Sequence, residues 1–177
     1  YFIFPTGNSQ TAPLQNPYAY GNAWFVENVK YVQNANEEID ALNTTVPTKT
    51  AVVSNDFKQV FNGVQTAFKD SLSTVKLTSY APNALTYETS SSKDGVVVFS
   101  EIYYPGWQAY LDGQAVDHGR ADYILRAMKV PAGKHKIEFK FDPQSIHTTE
   151  NIAYVALGVL ILGAIGVIVI EVRKRKK

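Results

Sequence analysis

Lys134-His135-Lys136-Ile137-Glu138-Phe139-Lys140-Phe141-Asp142 decides how this chain is read. His135, Ile137, Phe139 and Phe141 alternate with Lys134, Lys136, Glu138 and Lys140, so a two-residue period puts an apolar row on one face and a charged row on the other. Such a strand belongs to an antiparallel sheet with one wet side. Upstream, residues 121–130 read as a second strand. Pro131-Ala132-Gly133 between them has the residue types of a tight turn, which predicts a hairpin.

Working further back, residues 95–104 are dense in Val, Phe, Ile and Tyr and too apolar for a surface strand, so they are expected in the middle of a sheet. Pro105-Gly106 breaks that run. Residues 107–111 and 114–116 then flank Asp112-Gly113, a pair suited to the two-residue hairpin turn in which both central positions take positive φ. Residues 75–80 and 85–89 add two strands around Ala81-Pro82-Asn83, and a polar loop follows from residue 90 to 95. Closely spaced strands punctuated by turn residues are the signature of a β-sandwich or a related all-β unit.

The first seventy residues are less regular. A short apolar entry, residues 1–4, leads into a stretch from 6 to 20 rich in Thr, Asn, Gln, Gly and Pro, read as an extended loop. Residues 23–32 form a strand candidate. Residues 34–43 form a short helix with Asn34 as N-cap and Glu37 three positions on, an approximate capping box. Residues 50–53 suit a buried edge strand and residues 56–61 another short helix.

The other end of the chain is different in kind. Residues 152–170 contain nineteen positions without a charge, Asn, Gln, Ser, Thr or Pro. As a helix they reach about 28 Å, close to the hydrocarbon thickness of a bilayer. A buried helix of a soluble domain keeps a polar stripe, and this one has none. Tyr154 sits near one end and Arg173-Lys174-Arg175-Lys176-Lys177 abuts the other, which supplies five of the 17 basic residues and leaves residues 1–151 at a net charge of −3. Because Lys and Arg are retained on the cytoplasmic side, the tail is expected inside and residues 1–151 outside. A basic cluster beside a membrane helix is explained by anionic lipid, so no nucleic-acid partner is invoked.

The expected fold class is therefore mainly β: an antiparallel β-sandwich-like domain with short helices, plus one C-terminal transmembrane α-helix. The expected division is an irregular part at 1–70 packed on the sandwich, the sandwich at 71–148, the membrane helix at 149–172 and a basic cytoplasmic tail at 173–177. With no cysteine among 177 residues, disulfide scaffolds and Cys-ligated zinc are excluded. The sole methionine is Met128, so the chain is expected to be a portion of something longer, or a processed product.

Several blocks carry a resemblance. Asn16-Pro17-Tyr18-Ala19-Tyr20-Gly21-Asn22-Ala23-Trp24-Phe25-Val26, Glu38-Ile39-Asp40-Ala41-Leu42, Phe99-Ser100-Glu101-Ile102-Tyr103-Tyr104-Pro105-Gly106-Trp107 with Asp112-Gly113, and Leu125-Arg126-Ala127 with Val130-Pro131-Ala132-Gly133-Lys134-His135 resemble the C-terminal region of YfhO-family bacterial membrane proteins, particularly the Bacteroidetes form. The resemblance implies a polytopic protein of the bacterial cytoplasmic membrane with an extracytoplasmic C-terminal domain. Members of that family are similar to glycosyltransferases that use lipid-linked sugars to decorate envelope polymers. The acidic residues of such transferases lie in loops near N-terminal membrane helices absent from this sequence, so no catalytic residue is carried over. The implied partners are membrane lipid, the remaining transmembrane part of the parent protein, and an envelope glycan or lipid-linked sugar. No cofactor is implied.

Candidate residues follow from chemistry. His118, His135 and His147 lack the spacing that would place two ligands on one helix face, so no metal site is expected. Asp112 is accounted for with Gly113 by the hairpin turn, and Asp117 and Asp122 bracket Arg120 in a polar connection. Glu101 lies inside an apolar strand, where an ionised carboxylate needs a partner, and Arg126 is the predicted one. Sugars present C–H faces as well as hydroxyls, so Tyr104, Tyr110 and Tyr123 with Arg120 and Asp122 form a candidate glycan platform. Alternation along residues 107–111 sends Trp107 into the core and Tyr110 outward. The competing expectation is a structural or protein-interaction module that stabilises the outer face of the parent protein.

Overall fold

A computed structural model describes residues 2–6, 10–63 and 70–175. Tyr1, residues 7–9 of the expected N-terminal loop, and Lys176 and Lys177 of the basic tail lie outside the described residues.

The chain opens with β1 (Phe2–Thr6) and β2 (Gln10–Leu14), an antiparallel pair with Phe2 opposite Leu14. This corrects the reading of residues 10–14 as loop. A two-stranded ribbon needs no apolar alternation, and Pro13 is tolerated because β2 has a free edge. The strand expected over residues 23–32 is two strands, β3 (Ala23–Val26) and β4 (Asn28–Val32), which enter different sheets. The corner is fixed at Glu27, where the backbone N–H groups of Glu27 and Asn28 both donate to the Lys49 carbonyl at 2.9 Å. Next comes α1 (Ala35–Leu42), whose N-cap Asn34 accepts from the Glu37 N–H at 3.0 Å. The Glu37 carboxylate reaches back to the Gln33 N–H and the Asn34 side chain, so the helix start satisfies its own donors.

Then follow β5 (Thr50–Ser54), parallel to β4, and a single 3₁₀ turn at Asn55–Phe57 where a longer helix was expected. The remaining strands are β6 (Thr74–Ala81), β7 (Ala84–Ser91), β8 (Gly95–Ile102), β9 (Trp107–Leu111), β10 (Gln114–Val116), β11 (Gly119–Ala121), β12 (Leu125–Val130) and β13 (Gly133–Phe141). They form a five-stranded sheet in the order β10-β9-β13-β7-β6 and a four-stranded sheet in the order β11-β12-β8-β3.

Leu85, Tyr87, Ala109, Ile137 and Phe139 of the first sheet meet Val97, Phe99, Met128 and Val130 of the second to form the main core. At its centre Tyr87, Phe99 and Phe139 pack edge to face, with Phe99 4.9 Å from each of the other two ring centroids. Each such side chain contributes about 1.5–3 kcal/mol by leaving water. The opposite face of the four-stranded sheet, through Val96, Val98, Ala121 and Ala127, packs on Ala51, Val53 and Phe61. β8 is thus covered on both sides, which is why it reads as an unbroken apolar run. Val52, pointing the other way from β5, meets Val32 and Ala41 beneath α1.

Two expectations about the last strands are corrected. Residues 121–130 are not one strand: Asp122 and Tyr123 take φ of 49° and 71°, turning β11 back onto β12 as an antiparallel pair. Nor do β12 and β13 form a hairpin. β12 pairs with β11 and β8, β13 pairs with β7 and β9, and Pro131-Ala132 carries the chain from one sheet to the other. The crossing lets Met128 and Val130 face Ile137 and Phe139 across one interior, which a same-sheet hairpin would not do. β3 also places residues 23–26 in the sandwich itself, beside β8.

Asp112 and Gly113 take φ of 50° and 84°, the geometry of the tight hairpin turn, and β9 and β10 pair across it. Two residues past β13 the chain enters α2 (Gln144–Arg175), earlier than the expected residue 149. Its apolar stretch reaches a mean hydropathy of 2.7 and none of it is buried in the protein, so α2 is long and apolar enough to cross a membrane.

Candidate functional site

Two polar clusters and one groove lie toward the end of the sandwich from which α2 departs. In the first cluster, Glu38 of α1 is fully buried. Its carboxylate accepts from Arg120 Nη2 at 3.0 Å and from the Tyr123 N–H at 2.8 Å. Asp122 is buried too, its backbone N–H donating to the Val52 carbonyl at 2.7 Å and its Oδ1 accepting from the Val52 N–H at 2.8 Å. Burial first, and the Glu38 charge second, push the Asp122 carboxyl up to about 6, against the lowering effect of the Val52 N–H. Arg120, Asp122 and the backbone of Tyr123 therefore come together as a clasp between β11 and the β5–α1 layer, while the Tyr123 ring is exposed, with the Arg120 guanidinium carbon 5.6 Å from its centroid.

The second cluster forms inside the main core. Arg126 is 1% exposed, its guanidinium carbon 4.2 Å from the Trp107 ring centroid and 4.8 Å from that of Phe139. Glu101 Oε2 stands 3.5 Å from Arg126 Nη2. Burial opposes the charge of Arg126, and Glu101 and Tyr87 favour it. The Tyr87 hydroxyl is pushed up to about 12 by burial and by Glu101. His118, between Tyr103 and Phe139, is lowered by burial and by the Arg126 charge and stays neutral at physiological pH. Trp107 is half-buried against the core.

The other two members of the expected platform lie elsewhere. Tyr110 is half-buried on the outer face of the five-stranded sheet, with Lys140 Nζ 4.8 Å from its ring centroid. Tyr104 is exposed and stands beside Phe141. It lines a groove of about 590 Å³ with Pro105, Gln108, Phe141, Pro143 and Ile146, between the Pro105-Gly106 corner and the first turn of α2. The corner is clamped to the helix entry: the Asp142 N–H donates to the Gly106 carbonyl at 2.9 Å, and a Cβ on Gly106 would lie 2.8 Å from Pro143. Gly106 also takes φ of 101°. The Asp112-Gly113 turn sits at the far end, where Asp112 accepts from the Lys136 N–H and meets His135 Nδ1 at 2.7 Å.

Glu38 is not among the site residues expected from the sequence. Its signal was available: it shares a helix face with Ala41 and Leu42, so an acid stands where an apolar side chain is expected. Among the described residues, no three His, Asp or Glu side chains converge as a metal site would require. The buried carboxylates of Glu38 and Asp122 bond inward to Arg120 and to backbone N–H groups, an arrangement that holds layers together.

A β-sandwich joined through two residues to a helix able to span a bilayer defines a domain of a membrane protein, or of a protein anchored in one. Residues 6–152 match the family model described as bacterial membrane protein YfhO. The chain belongs to the YfhO family. No curated protein and no solved structure matches it.

Proposed function

We propose that this chain is the non-catalytic extracytoplasmic domain and last helix of a membrane glycosyltransferase that draws on lipid-linked sugars, and that the domain holds a glycan acceptor beside the bilayer. α2 spans the cytoplasmic membrane with its basic end inside, in keeping with the retention of Arg and Lys on that side. The observation that carries the reading is the groove at Tyr104. It combines ring faces with the polar groups of Gln108, Asp142, Gln144 and Ser145, and its wall is the first turn of α2 itself. A lipid-linked sugar carries its head group at that level. Tethering raises the effective concentration of even a weak acceptor site next to a catalytic centre.

Titration calorimetry of the chain in lipid nanodiscs with soluble fragments of the envelope polysaccharide tests this. Saturable binding that Tyr104→Ala and Gln108→Ala weaken supports it. No binding, together with unchanged envelope glycan in cells carrying those variants, leaves a structural module that stabilises the outer face of the parent protein. The clasp of Glu38 with Arg120 and the Tyr123 N–H, and of Asp122 with Val52, is the feature that favours this second reading.

A further inference from the structure

One end of the sandwich carries a group of exposed apolar and aromatic side chains, and the other is polar apart from Leu72. β8 ends at Ile102, which is 63% exposed, and the adjoining β11–β12 turn presents Tyr123 and Ile124. Near the end of β6, beside the β6–β7 turn, Tyr80 is 66% exposed, and the connection from β8 to β9 presents Tyr104, 60% exposed. These positions share one end because Leu125 pairs with Ile102, Phe141 pairs with Trp107, and the Phe141 N–H donates to the Asn83 carbonyl. The opposite end, reached through Ser91 opposite Gly133, shows Ser92, Lys93, Asp94, Asp112 and Gly113 to solvent.

The apolar end is the one from which α2 leaves. Between β13 and the uncharged run lie Gln144 to Asn151, eight helical residues whose rise is about 12 Å. The headgroup region on each side of the hydrocarbon is roughly 5–8 Å deep. The sandwich end is therefore held within the length of one tyrosine side chain of the lipid headgroups, and a helix tilt of about 20° closes the gap on one side. Aromatic rings with a polar tip are favoured at that depth.

We infer that this end of the sandwich is a lipid-contact surface: Tyr80, Ile102, Tyr104, Tyr123 and Ile124 seat in the headgroup layer around the emergence of α2. The occupant is the bilayer, because the anchor that enters the bilayer starts on this very surface. Contact with lipid fixes the tilt of the domain and turns the Tyr104 groove toward the membrane plane. The inference needs α2 to span the membrane; it does not depend on sugar binding or on which side the domain lies.

Single-cysteine variants test it, and the chain has no native cysteine to remove. Tyr80→Cys, Ile102→Cys, Ile124→Cys and, at the polar end, Lys93→Cys are spin-labelled in the full chain reconstituted into vesicles of phosphatidylethanolamine and phosphatidylglycerol. Collision with oxygen, which concentrates in lipid, is compared with collision with a water-soluble nickel chelate. The ratio is expected to be severalfold higher at 80, 102 and 124 than at 93. Ratios at those three positions equal to that at 93 would overturn the inference. So would exclusion of both reagents, which would place another protein surface there. All four side chains are exposed, so the substitutions leave the core intact. Saccharide binding is not read by these labels, so failure here is distinct from failure of the glycan reading.

Discussion

Glu101 and Arg126 form an ion pair at the mouth of the sandwich core, 3.5 Å apart, with the guanidinium lying between the rings of Trp107 and Phe139. Arg126 Nε and Nη1 have no hydrogen-bond partner among the described residues, so Glu101 supplies most of the compensation for a buried charge. Removing one member of a fully buried pair costs about 3–5 kcal/mol. The Glu101 side chain keeps 27% exposure, which lowers the expected cost of Glu101→Gln to about 1–3 kcal/mol. Adding Arg126→Met should recover most of it, because an apolar side chain of similar length needs no counter-charge. Urea unfolding of the two variants in detergent, followed by tryptophan fluorescence, checks both values.

Asp122 makes stability depend on pH in the direction opposite to a surface carboxylate. Its folded value, about 6, lies above the ordinary 3.8, so the folded state holds the proton more tightly than the unfolded chain. Stability contributed at low pH is lost as pH rises from about 4 to 6, by about 3 kcal/mol for a shift of this size. Asp122→Asn should flatten that slope and raise stability at neutral pH. Asn tolerates positive φ and retains an oxygen for the Val52 N–H. Thermal unfolding of both forms across pH 4–7 measures the difference.

The His135–Asp112 contact gives a local reporter. The hydrogen bond to Asp112 raises the His135 imidazole above 6.5, and the same bond holds Asp112 below 3.8. The pair therefore stabilises the β9–β10 turn between these limits. The His135 share is lost as pH rises through its folded value, and the Asp112 share as pH falls through its own. In an NMR titration, Asp112→Asn should move the His135 midpoint downward toward 6.5.

Gly106 combines a φ of 101° with a Cβ direction that meets Pro143. Gly106→Ala is expected to cost about 1–3 kcal/mol from backbone strain alone. It should also loosen the Asp142–Gly106 hydrogen bond that clamps the helix entry. Hydrogen exchange at the Asp142 amide, slow in the parent and faster in the variant, would report the second effect.

What could be read from sequence was local. The 134–142 alternation appears within a residue as β13, Asp112-Gly113 turns as expected, and Asn34 and Glu37 cap α1 as their spacing implies. Destination could not be read in the same way. Pro131-Ala132-Gly133 has turn chemistry whether it returns to its own sheet or crosses to the facing one, and only the burial of both flanking apolar rows in one interior decides the crossing. The break at Asp122-Tyr123 contains neither Gly nor Pro. Its positive φ values are held by distant partners, Val52 and Glu38, which lie 70 and 85 positions away in the chain. For the same reason the platform residues were grouped by proximity in sequence. The fold turns Arg120 and the Tyr123 N–H toward α1, Asp122 toward β5, Tyr110 toward the outer sheet face and Tyr104 toward the helix entry, and leaves the Tyr123 ring exposed.

Sidedness is the claim on which the functional proposal depends most. Lys93→Cys at the polar end of the sandwich and Arg173→Cys beyond the apolar run, each introduced into the protein in its native membrane, are exposed to a membrane-impermeant maleimide in intact cells. Labelling of position 93 before lysis, and of position 173 only after it, is the predicted result. The reverse order would place the sandwich in the cytoplasm and contradict the account.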